Sequence, residues 1–94
     1  MSTILITGAS GGLAQEMVKL LPNDQLILFG RNKDKLAQLY GNHPHAELIE
    51  IDITDAQALE ELVAELYQRY GKIDVLINNA GYGIFEDFDK ISDQ

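Results

Sequence analysis

The chain is short, acidic and free of cysteine. Its 94 residues make one domain at most, and 46% hydrophobic with 23% charged residues is the composition of a globular domain. The lack of cysteine excludes disulfides, thiolate metal sites and cysteine nucleophiles. A formal net charge of −8 disfavours nucleic acid and acidic membrane surfaces as partners. Any bound anion must therefore be held by backbone N–H groups and a few well-placed cations.

No apolar run reaches the roughly 18 residues that a membrane-spanning helix needs. The first residues also lack the basic segment and the long apolar run of a signal peptide. We therefore expect no membrane partner and a cytoplasmic location.

Four short apolar runs rich in branched side chains predict buried β-strands at residues 3–7, 25–29, 47–51 and 73–77. Helical spacing of apolar residues between the first two runs predicts a helix over residues 13–21. The residues expected on its apolar side are Leu13, Met17, Leu20 and Leu21.

Two further helices are predicted by their end signals. Asn32 is suited to begin the second helix, which runs to Tyr40 and stops at Gly41. The third has apolar residues at regular helical spacing up to Tyr70, and a capping box of Thr54 and Gln57 is expected at its start. Residues 85–94 indicate the start of another helix.

Strands that alternate with helices of this length must lie parallel, with right-handed crossovers. The predicted fold is α/β: the first half of a Rossmann-type doubly wound parallel sheet, β-α-β-α-β-α-β, with strand order 3-2-1-4. We expect residues 1–94 to belong to one such domain.

The loop after the first strand carries the clearest functional signal. Three of the chain's eight glycines, Gly8, Gly11 and Gly12, fall within five positions there. Glycines let backbone N–H groups come close to a diphosphate, and the helix that starts at Leu13 adds its unpaired N–H donors. No Lys-Ser/Thr pair follows the glycines, which argues against a nucleotide triphosphatase. A tight turn without a ligand is the less favoured interpretation.

Three motifs in this order resemble the short-chain dehydrogenase/reductase family. Thr-Gly-Ala-Ser-Gly-Gly-Leu-Ala at residues 7–14 resembles its Thr-Gly-x-x-x-Gly-x-Gly motif, with Ala14 in place of the last glycine. Asn-Asn-Ala-Gly at residues 78–81 is similar to a second family motif, and Asp52-Ile53 to its adenine-contacting pair. Alanine is accepted at the last glycine position, so we expect slightly wider packing of the first helix and no lost binding.

The end of the second strand predicts which dinucleotide binds. An NAD site usually has a carboxylate there, whereas this chain has Phe-Gly-Arg-Asn-Lys at residues 29–33. Arg31 can pair with the 2′-phosphate of NADP, and Ser10 and Asn32 can add hydrogen bonds. We therefore expect NADP, with NAD less favoured. The alternative is that Arg31 is a solvated surface charge.

The resemblance implies further cofactor contacts. Asp52 would accept a hydrogen bond from the adenine amino group and the Ile53 N–H would donate to the ring. Alternatively, or in addition, the Asp52 carboxylate caps the following helix. Asn78 is expected to tie neighbouring strands together. The residues expected to form the wall of the ribose and nicotinamide site are Asn79, Ala80 and Gly81.

Catalytic residues are not found in the sequence. The family uses a serine and Tyr-x-x-x-Lys, and none of the four tyrosines here has a lysine four residues on. Tyr67 and Tyr70 belong to an apolar helix face and suggest packing. The chain is therefore expected to be the N-terminal, cofactor-binding half of a longer oxidoreductase that acts on a carbonyl or alcohol. A non-catalytic dinucleotide sensor or assembly module and a methyltransferase-type domain are the alternatives.

The remaining expectations concern partners and metals. His43 and His45 flank a proline with no third ligand nearby, so a solvated loop is expected and no metal site. The whole enzyme would take a small-molecule substrate and form a homo-oligomer. The fourth strand would present an apolar edge in this chain, which predicts dimerisation, swapping or aggregation.

Overall fold

The computed structural model describes residues 2–79. Strands and helices alternate along this part of the chain. In order they are β1 (Thr3–Thr7), α1 (Gly12–Lys19), β2 (Gln25–Gly30), α2 (Lys33–Tyr40), β3 (Ala46–Glu50), α3 (Ala56–Tyr70) and β4 (Val75–Asn78). All pairings are parallel and the strand order is β3-β2-β1-β4. The predicted fold class and strand order are confirmed.

The sheet is covered on both faces because alternate side chains of its central strands enter two separate clusters. One cluster joins Ile4 and Leu28 to buried residues of α1 and α2, while the other joins Leu5 and Phe29 to α3. The helices α1 and α2 thus lie on one face of the sheet and α3 on the other. This arrangement explains why β1 and β2 are apolar without alternation.

The apolar face predicted for the first helix is wrong at two of its four residues. Leu13 and Leu20 are 66% and 79% exposed, whereas Ala14 and Val18 are buried against the sheet. Only Met17 and Leu21 of the predicted set pack against the core, and they do so partly. The helix therefore presents its smaller side chains to the sheet, and Ala14 is fully buried at this contact.

The start of α3 also differs from the prediction. Its N-cap is Asp55, whose side chain accepts from the Ala58 N–H at 3.2 Å. Thr54 instead donates to Asp52, and Gln57 contacts Glu61. The capping box of Thr54 and Gln57 is absent because the helix begins one residue later, where an aspartate is the better acceptor.

Smaller differences occur at element ends. The strands β3 and β4 are displaced by one or two residues from the predicted ranges, and α1 ends at Lys19 rather than at Leu21. The predicted helix in residues 85–94 lies outside the described residues. Within residues 2–79, no helix is long and apolar enough to cross a membrane.

Candidate functional site

The glycine-rich loop after β1 is held from three directions. Gly8 has a φ of +61°, a conformation that residues with a side chain rarely adopt. The Ala9 N–H donates to the carbonyl of Phe29 at 2.9 Å, and the Ala9 carbonyl accepts from the buried Tyr40 hydroxyl at 2.5 Å. The Asn79 side chain donates to the Gly8 carbonyl at 3.1 Å. Neighbouring strands and α2 therefore fix this loop at the carboxyl end of β1.

The helix that follows the loop begins without a side-chain cap. Its N-cap is Gly11, which has no side chain to accept from the first-turn N–H groups, and within residues 2–79 no side-chain cap is found at this helix start. In contrast, α2 and α3 are capped by the side chains of Asn32 and Asp55. An α-helix leaves its first N–H groups without intrahelical partners, and they carry partial positive charge. Of the three helices in the described part, α1 is thus the one whose start can receive an anion.

The two glycines at this helix start differ in their surroundings. A Cβ atom on Gly11 would lie 3.2 Å from the Asn79 side-chain nitrogen and 3.4 Å from the Gly8 carbonyl oxygen. A Cβ atom on Gly12 would meet nothing within 4 Å. Packing within the described residues therefore explains Gly11 and leaves Gly12 unexplained. The open space above Gly12 gives a ligand room to approach the helix start.

A cavity of about 320 Å³ opens beside the loop, where β1, β2 and β3 end. Six residues predicted from the sequence line it: Gly8, Ser10, Arg31, Asn32, Asp52 and Ile53. The other lining residues are Phe29, Gly30, Lys35, Ile51 and Thr54. This volume is near the lower end of small-molecule sites, which suits one nucleoside portion of a dinucleotide.

The remaining predicted residues lie beside this cavity or beyond the described chain. Gly11, Gly12 and Leu13 follow Ser10 at the helix start without lining the cavity, and Asn79 contacts the loop from the end of β4. Leu13 is exposed, so its side chain is available to a ligand rather than committed to the core. Ala80 and Gly81 lie outside the described residues.

Arg31 and Asp52 form an ion pair at the cavity. The guanidinium Nη2 lies 3.5 Å from the carboxylate Oδ2, and both side chains are more than half exposed. Asp52 is also held by Thr54, which donates its hydroxyl at 2.6 Å and its N–H at 3.0 Å. These hydrogen bonds, and then the attraction of Arg31, hold the pKa of the Asp52 carboxyl below its ordinary value. The N-cap of α3 is Asp55, so the expected capping role of Asp52 is wrong.

The start of α2 is satisfied by side chains. As predicted, Asn32 is the N-cap, and its side-chain oxygen accepts from the Lys35 N–H at 3.1 Å. The Lys33 N–H donates to the Glu50 carboxylate at 2.8 Å. Lys35 lines the cavity although sequence reasoning did not select it. The sequence could have indicated Lys35, because it lies on the first turn of a helix that begins just after β2.

The first of the two asparagines after β4 has a structural contact, as expected. The Thr7 hydroxyl donates to the Asn78 side-chain oxygen at 3.0 Å, which links the ends of β1 and β4. Because Thr7 is fully buried, this bond also satisfies a polar group beneath the loop. Asn78 therefore connects two strand ends, while Asn79 holds the loop itself.

Tyrosines and histidines elsewhere have structural contacts. Tyr67 and Tyr70 pack against the core as expected, and the Tyr70 hydroxyl also donates to Glu47. The loop at His43 and His45 is exposed at Asn42 and Pro44, whereas both histidines are partly buried and the His45 N–H donates to His43 Nδ1 at 3.1 Å. Residues 2–79 contain no group of three His, Asp or Glu side chains arranged to hold a metal ion.

Known proteins with similar sequences are oxidoreductases. The chain is 36% identical over 81 residues to a probable short-chain type dehydrogenase/reductase, VdlC, of Helicobacter pylori, which covers 86% of this chain and 30% of that protein. An uncharacterized oxidoreductase of Schizosaccharomyces pombe is 34% identical over 90 residues, covering 94% of this chain and 30% of that protein. The chain thus spans about a third of the length of the curated relatives it matches.

Solved structures have the same architecture. A short-chain dehydrogenase from Streptomyces avermitilis superposes with a TM-score of 0.73 at 33% identity, covering 83% of this chain and 30% of that one. A metagenomic short-chain oxidoreductase in complex with NADP gives a TM-score of 0.74 at 26% identity, covering 87% of this chain and 40% of that one. A family model described as short chain dehydrogenase matches residues 2–94. With the glycine-rich loop, the uncapped helix and the cavity at the ends of three parallel strands, the chain belongs to the short-chain dehydrogenase family.

Proposed function

We propose that the chain supplies the cofactor-binding part of an NADP-dependent short-chain oxidoreductase, which transfers a hydride between NADP(H) and a carbonyl or alcohol substrate. The observation that carries the proposal is the cavity itself. It places the glycine-rich loop next to Arg31, with no carboxylate at the end of β2. A loop for the diphosphate and a cation for an added phosphate are the two features that NADP requires.

Different residues would bind different parts of the dinucleotide. The backbone N–H groups of Gly11, Gly12 and Leu13 would bind the diphosphate, because the start of α1 has no side-chain cap. The adenosine portion would occupy the cavity, with adenine against Asp52 and Ile53. When bound, the nicotinamide ring supplies or accepts the hydride.

The preference for NADP over NAD depends on charge. A 2′-phosphate would repel a carboxylate, and in this cavity it would meet Arg31, Ser10 and Asn32 at the end of β2 and in the loop. Asp52 is the one carboxylate that lines the described cavity, and Arg31 neutralises it. The structural neighbour in complex with NADP supports this choice.

Other parts of the proposal depend on family membership. Residues 1–94 would form part of a dinucleotide-binding domain, with Asn79, Ala80 and Gly81 beside the ribose and nicotinamide. The whole enzyme would act on a small-molecule substrate, as a homo-oligomer in the cytoplasm. The family's serine and Tyr-x-x-x-Lys are absent from these 94 residues, so this chain would bind the cofactor without turning it over.

Calorimetric titration of the chain with NADPH, NADH and S-adenosylmethionine tests the proposal. We expect NADPH to bind at least about tenfold more tightly than NADH, since one charge-assisted hydrogen bond contributes about 1.5–3 kcal/mol. S-adenosylmethionine should not bind. Equal affinity for NADPH and NADH would contradict the role of the cations, and binding of S-adenosylmethionine alone would indicate a methyltransferase-type domain.

A further inference from the structure

We propose that Lys35, and not Arg31 alone, selects the 2′-phosphate of NADP. The inference rests on the proposed function and identifies a specificity-determining residue for it. Lys35 is exposed on the first turn of α2 and lines the same cavity as Gly8 and Ser10 of the glycine-rich loop. Arg31 is already paired with a carboxylate, and side chains occupy two of the first N–H groups of α2. The Lys35 ammonium, in contrast, has no ion-pair partner within residues 2–79.

Arg31 already has an anionic partner. Its guanidinium lies 3.5 Å from Asp52, whose negative charge is stabilised by two hydrogen bonds from Thr54. A 2′-phosphate approaching Arg31 therefore also comes close to the Asp52 carboxylate, which repels it. As a unit, Arg31 and Asp52 add no net charge to the cavity.

The backbone at the start of α2 offers little to a phosphate. Two of its first N–H groups are occupied, one by the Glu50 carboxylate at 2.8 Å and one by the Asn32 side chain at 3.1 Å. The Glu50 carboxylate brings a further negative charge to this helix start. The helix start therefore contributes little to binding a phosphate, and side chains that line the cavity would bind it instead.

Lys35 is the lining cation that remains. In the described part of the chain its ammonium forms no ion pair. Since Arg31 and Asp52 compensate each other, Lys35 supplies the net positive charge of the cavity lining. A phosphate monoester carries about 1.5 to 2 negative charges near neutral pH, so it gains most from a cation that has no competing carboxylate.

Titrations of the full chain with two nucleotide fragments test this role. Adenosine 2′,5′-bisphosphate carries the 2′-phosphate and 5′-AMP lacks it, and neither fragment reaches the residues that would contact nicotinamide. The variant is Lys35→Gln, which removes the charge and keeps a side chain of similar helix propensity. Lys33→Gln is the matched control, because Lys33 lies on the same helix turn and does not line the cavity.

We expect the native chain to bind the 2′,5′-bisphosphate about 10-fold or more tightly than 5′-AMP. Lys35→Gln should reduce that ratio about tenfold through the bisphosphate alone, while Lys33→Gln should change it less than about twofold. Equal small effects of the two variants, with the native preference intact, would overturn the role of Lys35 and leave the proposed function standing. A native chain that binds neither nucleotide, or both equally, would overturn the NADP assignment and the role of Lys35 together.

Discussion

Gly12→Ala separates the binding role of the glycine-rich loop from its role in the fold. Gly12 is exposed at the first position of α1, and among residues 2–79 an added Cβ would meet no atom within 4 Å apart from its chain neighbours and the helix's own backbone. Alanine also loses less backbone entropy on folding, which favours a helix by roughly 0.5–1 kcal/mol. We therefore expect a free energy of unfolding that is unchanged or higher by up to about 1 kcal/mol.

The same methyl group should weaken binding of NADPH. A diphosphate oxygen bound to these backbone N–H groups must come within about 2.7–3.2 Å of the nitrogen, into the space that the Cβ would fill. We expect the affinity for NADPH to fall at least tenfold, or about 1.4 kcal/mol. Urea denaturation measures the stability and calorimetric titration measures the affinity.

Gly71→Ala is the matched control. Gly71 follows the last residue of α3 with a φ of +79°, and in the described part of the chain an added Cβ there likewise has no non-neighbouring atom within 4 Å. The left-handed conformation makes alanine unfavourable there by roughly 1–2 kcal/mol, so the control should lose stability and keep its affinity for NADPH. If Gly12→Ala binds NADPH as tightly as the native chain, the loop does not hold the diphosphate through its backbone.

Three further outcomes follow from the described contacts. Tyr40→Phe removes the buried hydrogen bond to the Ala9 carbonyl, so it should lower the free energy of unfolding by about 1–2 kcal/mol and weaken NADPH binding. Tyr70→Phe, which removes a hydrogen bond far from the loop in sequence, should leave the affinity for NADPH unchanged. Burial, and then the Glu47 carboxylate, raise the pKa of Tyr70 to about 12. An unfolded chain loses this proton near pH 10, so stability measured by denaturation should fall as the pH rises from 10 to 12, and less so in Tyr70→Phe. The edge of β4, where Val75 is 43% exposed, should cause concentration-dependent self-association in light scattering, and a monodisperse monomer at high concentration would contradict this.

The strands and their order could be predicted from the sequence because the apolar runs are continuous and the helices between them force parallel pairing. The side of α1 that packs against the sheet could not be predicted in the same way. Leu13, Met17, Leu20 and Leu21 have helical spacing, yet the sheet contact takes Ala14 and Val18. Spacing alone does not distinguish two overlapping faces of a short helix. Close packing against the sheet favours the smaller side chains, and this requirement is visible only when both surfaces are present.

The candidate site could be predicted in outline for a different reason. Parallel strands place all their carboxyl ends at one edge, so residues directly after β1, β2 and β3 had to meet. The contacts between side chains were not predictable, because they join residues far apart in sequence. Arg31 pairs with Asp52, Tyr40 holds Ala9, and Lys35 lines the cavity from within α2. Each of these depends on side-chain orientation rather than on position along a strand.

Amide chemical shifts of the isotopically labelled chain, followed during titration with NADPH, test the central claim most directly. If the loop and the start of α1 bind the diphosphate, the N–H signals of residues 10–13 should shift most. The signals of Asp52 and Ile53 should follow the same saturation curve as the NADPH concentration rises. NADH should produce smaller shifts at equal concentration. Loop signals that stay unchanged while residues elsewhere respond would contradict the account; Leu39 and His43, which line a second cavity beside α1 and the end of α2, are such residues.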